Sequence, residues 1–131
     1  MLIGLDVGST TIKAVVFDSD LDKTVWKTYQ RHETRQPGKA LEYLQQIHAE
    51  FPHIANDEIQ VFMTGSGAES LCDIIGARFV QEVNAVTLAV EHFYPDAGSV
   101  VELGGQDAKI IVFQEDESTG ERRALTSMND K

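Results

Sequence analysis

Two stretches of the sequence share one pattern. LDVGSTTIKAVVF occupies residues 5–17, and VELGGQDAKIIVF lies 96 residues further on, at residues 101–113. In both, an apolar run leads to an acid, then to a glycine two residues on, a lysine five residues later and a final Val-Phe. Chance rarely matches all of these features at one register, and the spacing is far longer than a solenoid repeat. The pattern therefore predicts a duplicated domain.

Composition and charge narrow the class of protein. The 131 residues are 42% apolar and 24% charged, as in a globular domain, and carry a formal net charge of −10. This charge disfavours nucleic acid and anionic membrane surfaces as partners. Cys72 is the single cysteine, so no intrachain disulfide can form. No apolar run is long enough to span a membrane, and the start of the chain lacks a basic leader, so we expect a cytoplasmic protein.

Apolar periodicity and turn residues predict the order β-β-β-α-β-α-β-α, followed by β-β-β. The predicted strands cover residues 2–7, 12–18, 24–33, 59–64, 78–80, 99–103, 108–114 and 121–127. The predicted helices cover residues 38–51, a short segment closed by Gly76, and 82–94, which Pro95 stops. The first helix has an apolar stripe at helical spacing: Leu41, Leu44, Ile47 and Phe51. Strand hairpins followed by βα alternation indicate the α/β class, with helices packed on a mixed sheet. We expect one complete lobe over 1–96 and the opening strands of a second, duplicated lobe over 97–131.

The two hairpins carry the residues of a phosphate site. A carboxylate at the end of an apolar strand is costly unless it is paired or binds a metal, which applies to Asp6 and to Glu102. Each precedes a glycine-bearing turn, whose N–H groups can bind an anion. We therefore predict that the two turns grip the phosphates of one nucleotide and that both acids organise Mg²⁺. The candidate phosphate-binding residues are Gly8, Ser9, Thr10, Thr11, Lys13, Gly104, Gly105, Gln106 and Asp107.

Other phosphate-binding motifs do not fit the sequence. The Walker pattern G-x-x-x-x-G-K-[ST] is absent, and so is the Rossmann pattern G-x-G-x-x-G. A strand is predicted to follow the first turn, whereas a helix follows a Rossmann loop, so the first turn is not a Rossmann loop. Taken alone, Asp6 would equally fit the cap of a turn, so the prediction depends on the paired motif.

The motifs resemble those of a known superfamily. DVGSTTIK resembles the first phosphate motif, and ELGGQDAK the second, of the actin/Hsp70/sugar-kinase ATPases. The resemblance is closer to the BadF/BadG/BcrA/BcrD-type ATPases, the activators of 2-hydroxyacyl-CoA dehydratases and benzoyl-CoA reductases. Three details carry it: GGQDAK in the second motif, the T-G-S-G at 64–67, and the final N-D-K at 129–131. It covers essentially the whole chain.

The resemblance implies RNase H-like lobes of the actin-like ATPase type, with ATP or ADP and Mg²⁺ as ligands. By the same resemblance, Glu82 matches the acid that positions the attacking water, and Asp6 and Glu82 are the catalytic candidates. Glu102 departs from the family pattern, which usually has aspartate there. Its side chain is one methylene longer, so it would reach the metal differently or through a water.

The resemblance also implies partners. Activators form homodimers that share one [4Fe–4S] cluster, and they couple ATP hydrolysis to low-potential electron transfer to an acyl-CoA dehydratase or reductase. The cluster-binding cysteine follows N-D-K in the family, one residue beyond Lys131. We therefore expect a fragment of a larger parent protein, with the cluster found only in the parent. We also expect the fragment to self-associate through its unfinished second lobe.

Two other functions stay open at this point. EVNAVTLAVE, which begins at Glu82, is similar to a segment of some sugar kinases, where an acid takes the proton from the sugar hydroxyl. A non-catalytic nucleotide-sensing or actin-like assembly module is the other alternative. Glu82 would also fit a plain first-turn glutamate favoured by the helix dipole. Cys72 is expected to be a small buried apolar residue. The histidines are expected at the surface: His32, His48, His53 and His92.

Overall fold

A computed structural model describes the chain at residues 1–105, 108–115 and 122–128. Its strands are β1 (Leu2–Val7), β2 (Thr11–Asp18), β3 (Lys23–Arg31), β4 (Gln60–Thr64), β5 (Arg78–Phe79), β6 (Ser99–Leu103), β7 (Ala108–Glu115) and β8 (Arg122–Met128). Its α-helices are α1 (Gln36–Glu50), α2 (Glu69–Ile75) and α3 (Glu82–Phe93), and a 3₁₀ turn covers Asn56–Glu58. The predicted order of strands and α-helices is confirmed. By its contacts the chain divides into two compact units, Met1–Val80 and the part from Gln81 onward.

The first unit contains a five-stranded mixed sheet in the order β3-β2-β1-β4-β5. The hairpin strands β1, β2 and β3 pair antiparallel, whereas β1 with β4 and β4 with β5 pair parallel. Parallel pairing requires a crossover connection, and the chain between β3 and β4 supplies it with α1. The mixed α/β sheet predicted from the sequence is confirmed.

One face of this sheet forms the core. Alternate residues of β1 (Ile3, Leu5 and Val7) are buried, which is the pattern of a strand with one face covered. They pack in one cluster with α1 and α2, and burying one such side chain contributes about 1.5–3 kcal/mol. Because successive side chains alternate between faces, Asp6 lies on the face opposite this core.

The buried face of α1 differs in part from the one expected. Ala40, Tyr43 and Ile47 are its buried residues, whereas Leu41, counted in the predicted apolar stripe, is 56% exposed. Tyr43 is fully buried and meets the ring of Trp26 edge-on at 6.2 Å between centroids. A large aromatic side chain at position 43 therefore fills the space over the sheet that the sequence pattern had assigned to leucine.

The short helix α2 ends as its sequence predicts. Gly76 takes the left-handed conformation, with φ of 75°, and its N–H donates to the Cys72 carbonyl at 2.8 Å. Cys72 is buried in the core cluster, which confirms the expectation for this residue. Ile74, in contrast, is 82% exposed and lies outside the core.

The second unit contains an antiparallel sheet in the order β6-β7-β8. Ile111 and Phe113 on β7 are its buried side chains among the described residues. The helix α3 belongs to this unit, begins at Glu82 after an extended Gln81, and stops before Pro95. The predicted division into a first lobe over 1–96 and a duplicated second lobe concerns the origin of the chain and stays a prediction.

Within the described ranges, no helix is long and apolar enough to cross a membrane.

Candidate functional site

Asp6 and Lys13 lie directly opposite each other on the antiparallel strands β1 and β2. The Lys13 ammonium donates to Asp6 Oδ2 at 2.6 Å, and the two side chains are 47% and 30% exposed. Lys13 Nζ also lies 5.8 Å from the ring centroid of Tyr29 on β3. The ion pair satisfies the carboxylate at the end of an apolar strand and leaves both groups accessible to solvent.

The turn between these strands is tight and open to solvent. The Gly8 N–H donates to the Thr11 carbonyl at 3.0 Å, which closes the turn. Ser9 and Thr10 at its tip are exposed, whereas Gly8 and Thr11 are half-buried. A Cβ at Gly8 would lie 3.3 Å from the Thr11 carbonyl oxygen, a crowded contact. The predicted first phosphate turn is therefore assembled at one edge of the sheet, next to Asp6.

The T-G-S-G segment packs behind Asp6. Thr64 is the parallel partner of Asp6, and the chain turns at once through Gly65, whose φ is +96°. A Cβ at Gly65 would lie 2.4 Å from the Val7 carbonyl oxygen and 2.8 Å from Asp6 Oδ1. The Gly67 N–H donates to the same Val7 carbonyl at 2.9 Å. Glycine at position 65 thus lets this turn close against the carboxylate.

Thr64 carries a polar atom whose role the sequence analysis did not address. Its Oγ1 is buried and has no hydrogen-bond partner within the described part of the chain. Most buried hydroxyls in proteins are hydrogen-bonded, so such an atom calls for a ligand or a water. Its place in register with Asp6 makes Thr64 an additional candidate for the site.

His32 and Gln36 form a further part of the site that sequence reasoning missed. His32 is 4% exposed, so the expectation that it lies at the surface is wrong. Its Nε2 lies 3.1 Å from the Gly8 carbonyl oxygen, and the Gln36 amide donates to that same oxygen at 3.0 Å. No local pattern signals these contacts, because the two residues follow Gly8 by 24 and 28 positions.

In the second unit, Lys109 stands between two acids. Glu102 on β6 is the direct antiparallel partner of Lys109 on β7, so the acid and lysine of this hairpin share a register as Asp6 and Lys13 do. Lys109 Nζ forms an ion pair with Glu82 at the start of α3 and lies 3.7 Å from Glu102 Oε2. Lys109 is 16% exposed, which makes this the more buried of the two acid–lysine groups. The structure thus brings Glu82 and Glu102 to one lysine.

The second predicted phosphate turn is described in part. Gly104 and Gly105 follow β6 directly and are both exposed. Gln106 and Asp107, the other two candidates in this turn, lie outside the described residues. The whole N-D-K motif at 129–131 also lies outside them.

Asp6 and Glu102 are the metal ligands predicted from the sequence. In the described ranges, no group of three or more His, Cys, Asp or Glu side chains could hold a metal ion. Mg²⁺ usually keeps several waters and binds one or two carboxylates together with substrate phosphates. Glu102 Oε2 is buried and makes no hydrogen bond among the described residues, and the Lys109 ammonium lies 3.7 Å from it.

With this geometry in place, comparison with known proteins identifies the family. The fold is that of an actin-like ATPase. Residues 3–129 match the model of the BadF/BadG/BcrA/BcrD ATPase family, so the chain belongs to that family.

Two related proteins and one solved structure support this assignment. The uncharacterized protein MJ0004 of Methanocaldococcus jannaschii is 30% identical over 112 residues, covering 85% of this chain and 42% of that protein. The 2-hydroxyisocaproyl-CoA dehydratase activator of Clostridioides difficile is 26% identical over 110 residues, covering 83% of this chain and 40% of that protein. The structure of that activator with bound ADPNP superimposes with a TM-score of 0.74 at 27% identity, covering 99% of this chain and 46% of that one.

The fold extends to more distant proteins. The Ppx/GppA family member of Aquifex aeolicus superimposes with a TM-score of 0.55 at 12% identity and covers 96% of this chain, a likeness of fold alone. The chain spans less than half the length of each of the two curated relatives.

Proposed function

We propose that this chain binds ATP with Mg²⁺ and belongs to the nucleotide-hydrolysing part of an activator of an acyl-CoA dehydratase or reductase. The observation that carries the proposal is the repeated acid–lysine pair. Asp6 faces Lys13 and Glu102 faces Lys109, each pair across a hairpin that leads into a glycine turn. Membership of the ATPase family and the ADPNP bound to the related activator support the same reading.

The residues of the first hairpin have separate roles in this proposal. The exposed turn from Gly8 to Thr11 offers backbone N–H groups and hydroxyls to phosphate oxygens. Lys13 is exposed enough to release Asp6 and lie along the phosphates, where its charge offsets theirs. Asp6 is then freed to accept from the water shell of the cation. The turns around Gly104 and Gly105 hold phosphate oxygens in the same way.

In the second unit, Glu82 at the start of α3 orients the attacking water, and Glu102 on β6 accepts from the water shell of the cation. Mg²⁺, when bound, neutralises charge on the phosphate oxygens during hydrolysis. Lys109 holds the carboxylates of Glu82 and Glu102 in place through its ion pairs. A carboxylate that is already held in place does not have to reorient when the attacking water is aligned. Preorganised groups of this kind accelerate a reaction.

For the whole protein, the proposal includes partners and a second cofactor. The related activator serves 2-hydroxyisocaproyl-CoA dehydratase, so we assign a dehydratase or reductase acting on an acyl-CoA as the partner class. The family resemblance adds a homodimer that shares one [4Fe–4S] cluster in the parent, and ATP-driven electron transfer at low potential. A single cysteine, buried in the core, is consistent with a cytoplasmic location.

The test uses the whole protein that carries this chain, purified without oxygen. Mg²⁺-dependent ATP hydrolysis is measured for the wild type, Asp6→Asn and Asp57→Asn, together with iron and acid-labile sulfide. Asp57 is an exposed acid in the turn before β4, so its variant removes the same charge away from the hairpin. We expect hydrolysis to fall at least about a hundredfold in Asp6→Asn, as for the loss of a preorganised charged group, and to stay unchanged in Asp57→Asn.

Iron at about two atoms per chain would support a four-iron cluster shared by two subunits. Hydrolysis without iron would reject the electron-transfer part of the proposal. Phosphoryl transfer from ATP to a sugar would show that the protein is a kinase and not an activator. Nucleotide-dependent assembly without turnover would replace it with a non-catalytic module.

A further inference from the structure

The carbonyl of Gly8 accepts hydrogen bonds from two side chains that follow it by more than twenty positions. His32 Nε2 lies 3.1 Å from the Gly8 oxygen, and Gln36 Nε2 lies 3.0 Å from it. A carbonyl oxygen has two lone pairs, so these contacts use its full capacity. We propose that His32 and Gln36 are positioning residues that fix the Gly8–Ser9 peptide, so that the Ser9 N–H faces the nucleotide phosphates. This inference rests on the proposed nucleotide-binding function.

The hydrogen bonds of His32 define which ring nitrogen donates. The Thr34 backbone N–H donates to His32 Nδ1 at 3.1 Å, so Nδ1 carries a lone pair. The proton of the neutral ring therefore sits on Nε2, which donates to the Gly8 oxygen. The ring is held at both nitrogens and is 4% exposed, so its orientation is fixed by its surroundings.

The backbone around His32 is strained in a way that serves this contact. Glu33 and Thr34 both have positive φ, at 49° and 65°, which is uncommon for residues other than glycine and rare for a β-branched one. Such conformations are strained and persist only where other contacts require them. Here the second left-handed residue presents its N–H to His32 Nδ1. The strained pair therefore holds the imidazole in place against Gly8.

Gln36 is confined as well. It lies at the start of α1, and a Cβ built on Gly67 would come within 3.1 Å of its amide nitrogen. The T-G-S-G turn therefore leaves no room for a side chain at position 67 without displacing Gln36. The amide is thus held between the T-G-S-G turn and the phosphate turn.

The geometry of the peptide bond connects these contacts to the phosphates. A trans peptide is planar, so its N–H points opposite to its C=O, and residues 1–105 contain no cis peptide. Two donors direct the Gly8 oxygen towards the protein, so the Ser9 N–H of the same peptide faces the exposed side of the turn. Ser9 itself is exposed. Without the donors, this peptide is free to rotate, and the amide is aligned only after the ligand has bound.

The test measures the affinity of the whole protein for Mg·ADPNP in three variants. His32→Leu removes the donor, while His32→Gln places an amide N–H near the position of Nε2. Gln36→Leu removes the second donor from a half-buried position, so it keeps the test open if His32→Leu does not fold. Urea unfolding of each variant separates binding from stability. The shift of the Ser9 amide proton on adding Mg·ADPNP gives a readout at the peptide itself.

We expect the dissociation constant to rise about tenfold in His32→Leu and in Gln36→Leu, and to stay within about threefold in His32→Gln. At saturating Mg·ADPNP, the Ser9 amide shift should keep its wild-type size in His32→Gln and be smaller in His32→Leu. Wild-type affinity in folded His32→Leu and Gln36→Leu would overturn this inference alone. Equal loss in His32→Leu and His32→Gln would show that the imidazole acts by packing, and would overturn it too. A wild type that does not bind Mg·ADPNP would overturn both this inference and the proposed function.

Discussion

Asp6 and Lys13 are direct cross-strand partners, with 2.6 Å between the lysine ammonium and Asp6 Oδ2. Exposed ion pairs of this kind contribute about 0–1 kcal/mol to stability, because solvent screens them and two side chains lose freedom. We therefore expect Asp6→Asn to change the free energy of urea unfolding by less than about 1 kcal/mol. A loss of several kcal/mol would instead mean that the pair is structural, and that any loss of hydrolysis in the variant reflects unfolding.

Lys109 is the more buried lysine, and it faces two acids. Lys109→Met removes the cation that pairs with Glu82 and Glu102, and repulsion between the two partly desolvated carboxylates then destabilises the fold. We expect a loss of about 1–3 kcal/mol in urea unfolding. The double variant Lys109→Met/Glu102→Gln should recover part of this loss, because one of the two negative charges is gone. No recovery would argue that the lysine stabilises the unit through its aliphatic packing.

Gly65 and Gly76 form a matched pair of glycines. Both have positive φ, at 96° and 75°, but a Cβ at Gly65 would clash with the Val7 carbonyl, whereas a Cβ at Gly76 would meet nothing within 4 Å. Gly76→Ala should therefore lower the free energy of unfolding only by the cost of placing alanine in the left-handed conformation, about 1–2 kcal/mol. Gly65→Ala should lower the free energy of urea unfolding by a clearly larger amount, and it should displace Asp6. Equal losses in the two variants would contradict the close packing of the T-G-S-G turn.

The thiol of Cys72 gives a dependence on pH. Burial raises the pKa of this thiol above its ordinary value, and the nearby Asp73 and Glu69 carboxylates add to the effect. The native state therefore keeps the proton to higher pH than the unfolded state, so its contribution to stability is present below pH 9.0 and is lost as pH rises through the native pKa. The free energy of urea unfolding should fall from about pH 8 to about pH 10, and it should fall further in the wild type than in Cys72→Ala. An equal decrease in both would contradict the raised pKa.

Much of the fold was predictable because the signals are local. The hydrophobic alternation of β1 and β2 places both strands within one or two residues of their observed bounds. Gly76 and Pro95 marked the ends of α2 and α3, since one permits the left-handed cap and the other stops a helix.

The rest depended on contacts between distant parts of the chain. His32 looked like a surface residue, because nothing next to it in sequence shows that the loop folds back on Gly8. Leu41 is exposed because Tyr43 is the residue of α1 that fills the core. The position of Tyr43 depends on its contact with Trp26 of another strand. The ion pair of Lys109 with Glu82 joins residues 27 positions apart, and no spacing rule indicates it.

The most direct test of the central claim is an amide chemical-shift map of the protein as Mg·ADPNP is added. The account predicts that shifts concentrate at Gly8, Ser9, Thr10 and Thr11 and at Gly104 and Gly105. It also predicts that they disappear in Asp6→Asn and persist in Asp57→Asn. Shifts confined to other parts of the chain, or equal shifts in both variants, would contradict a nucleotide held by the two hairpins.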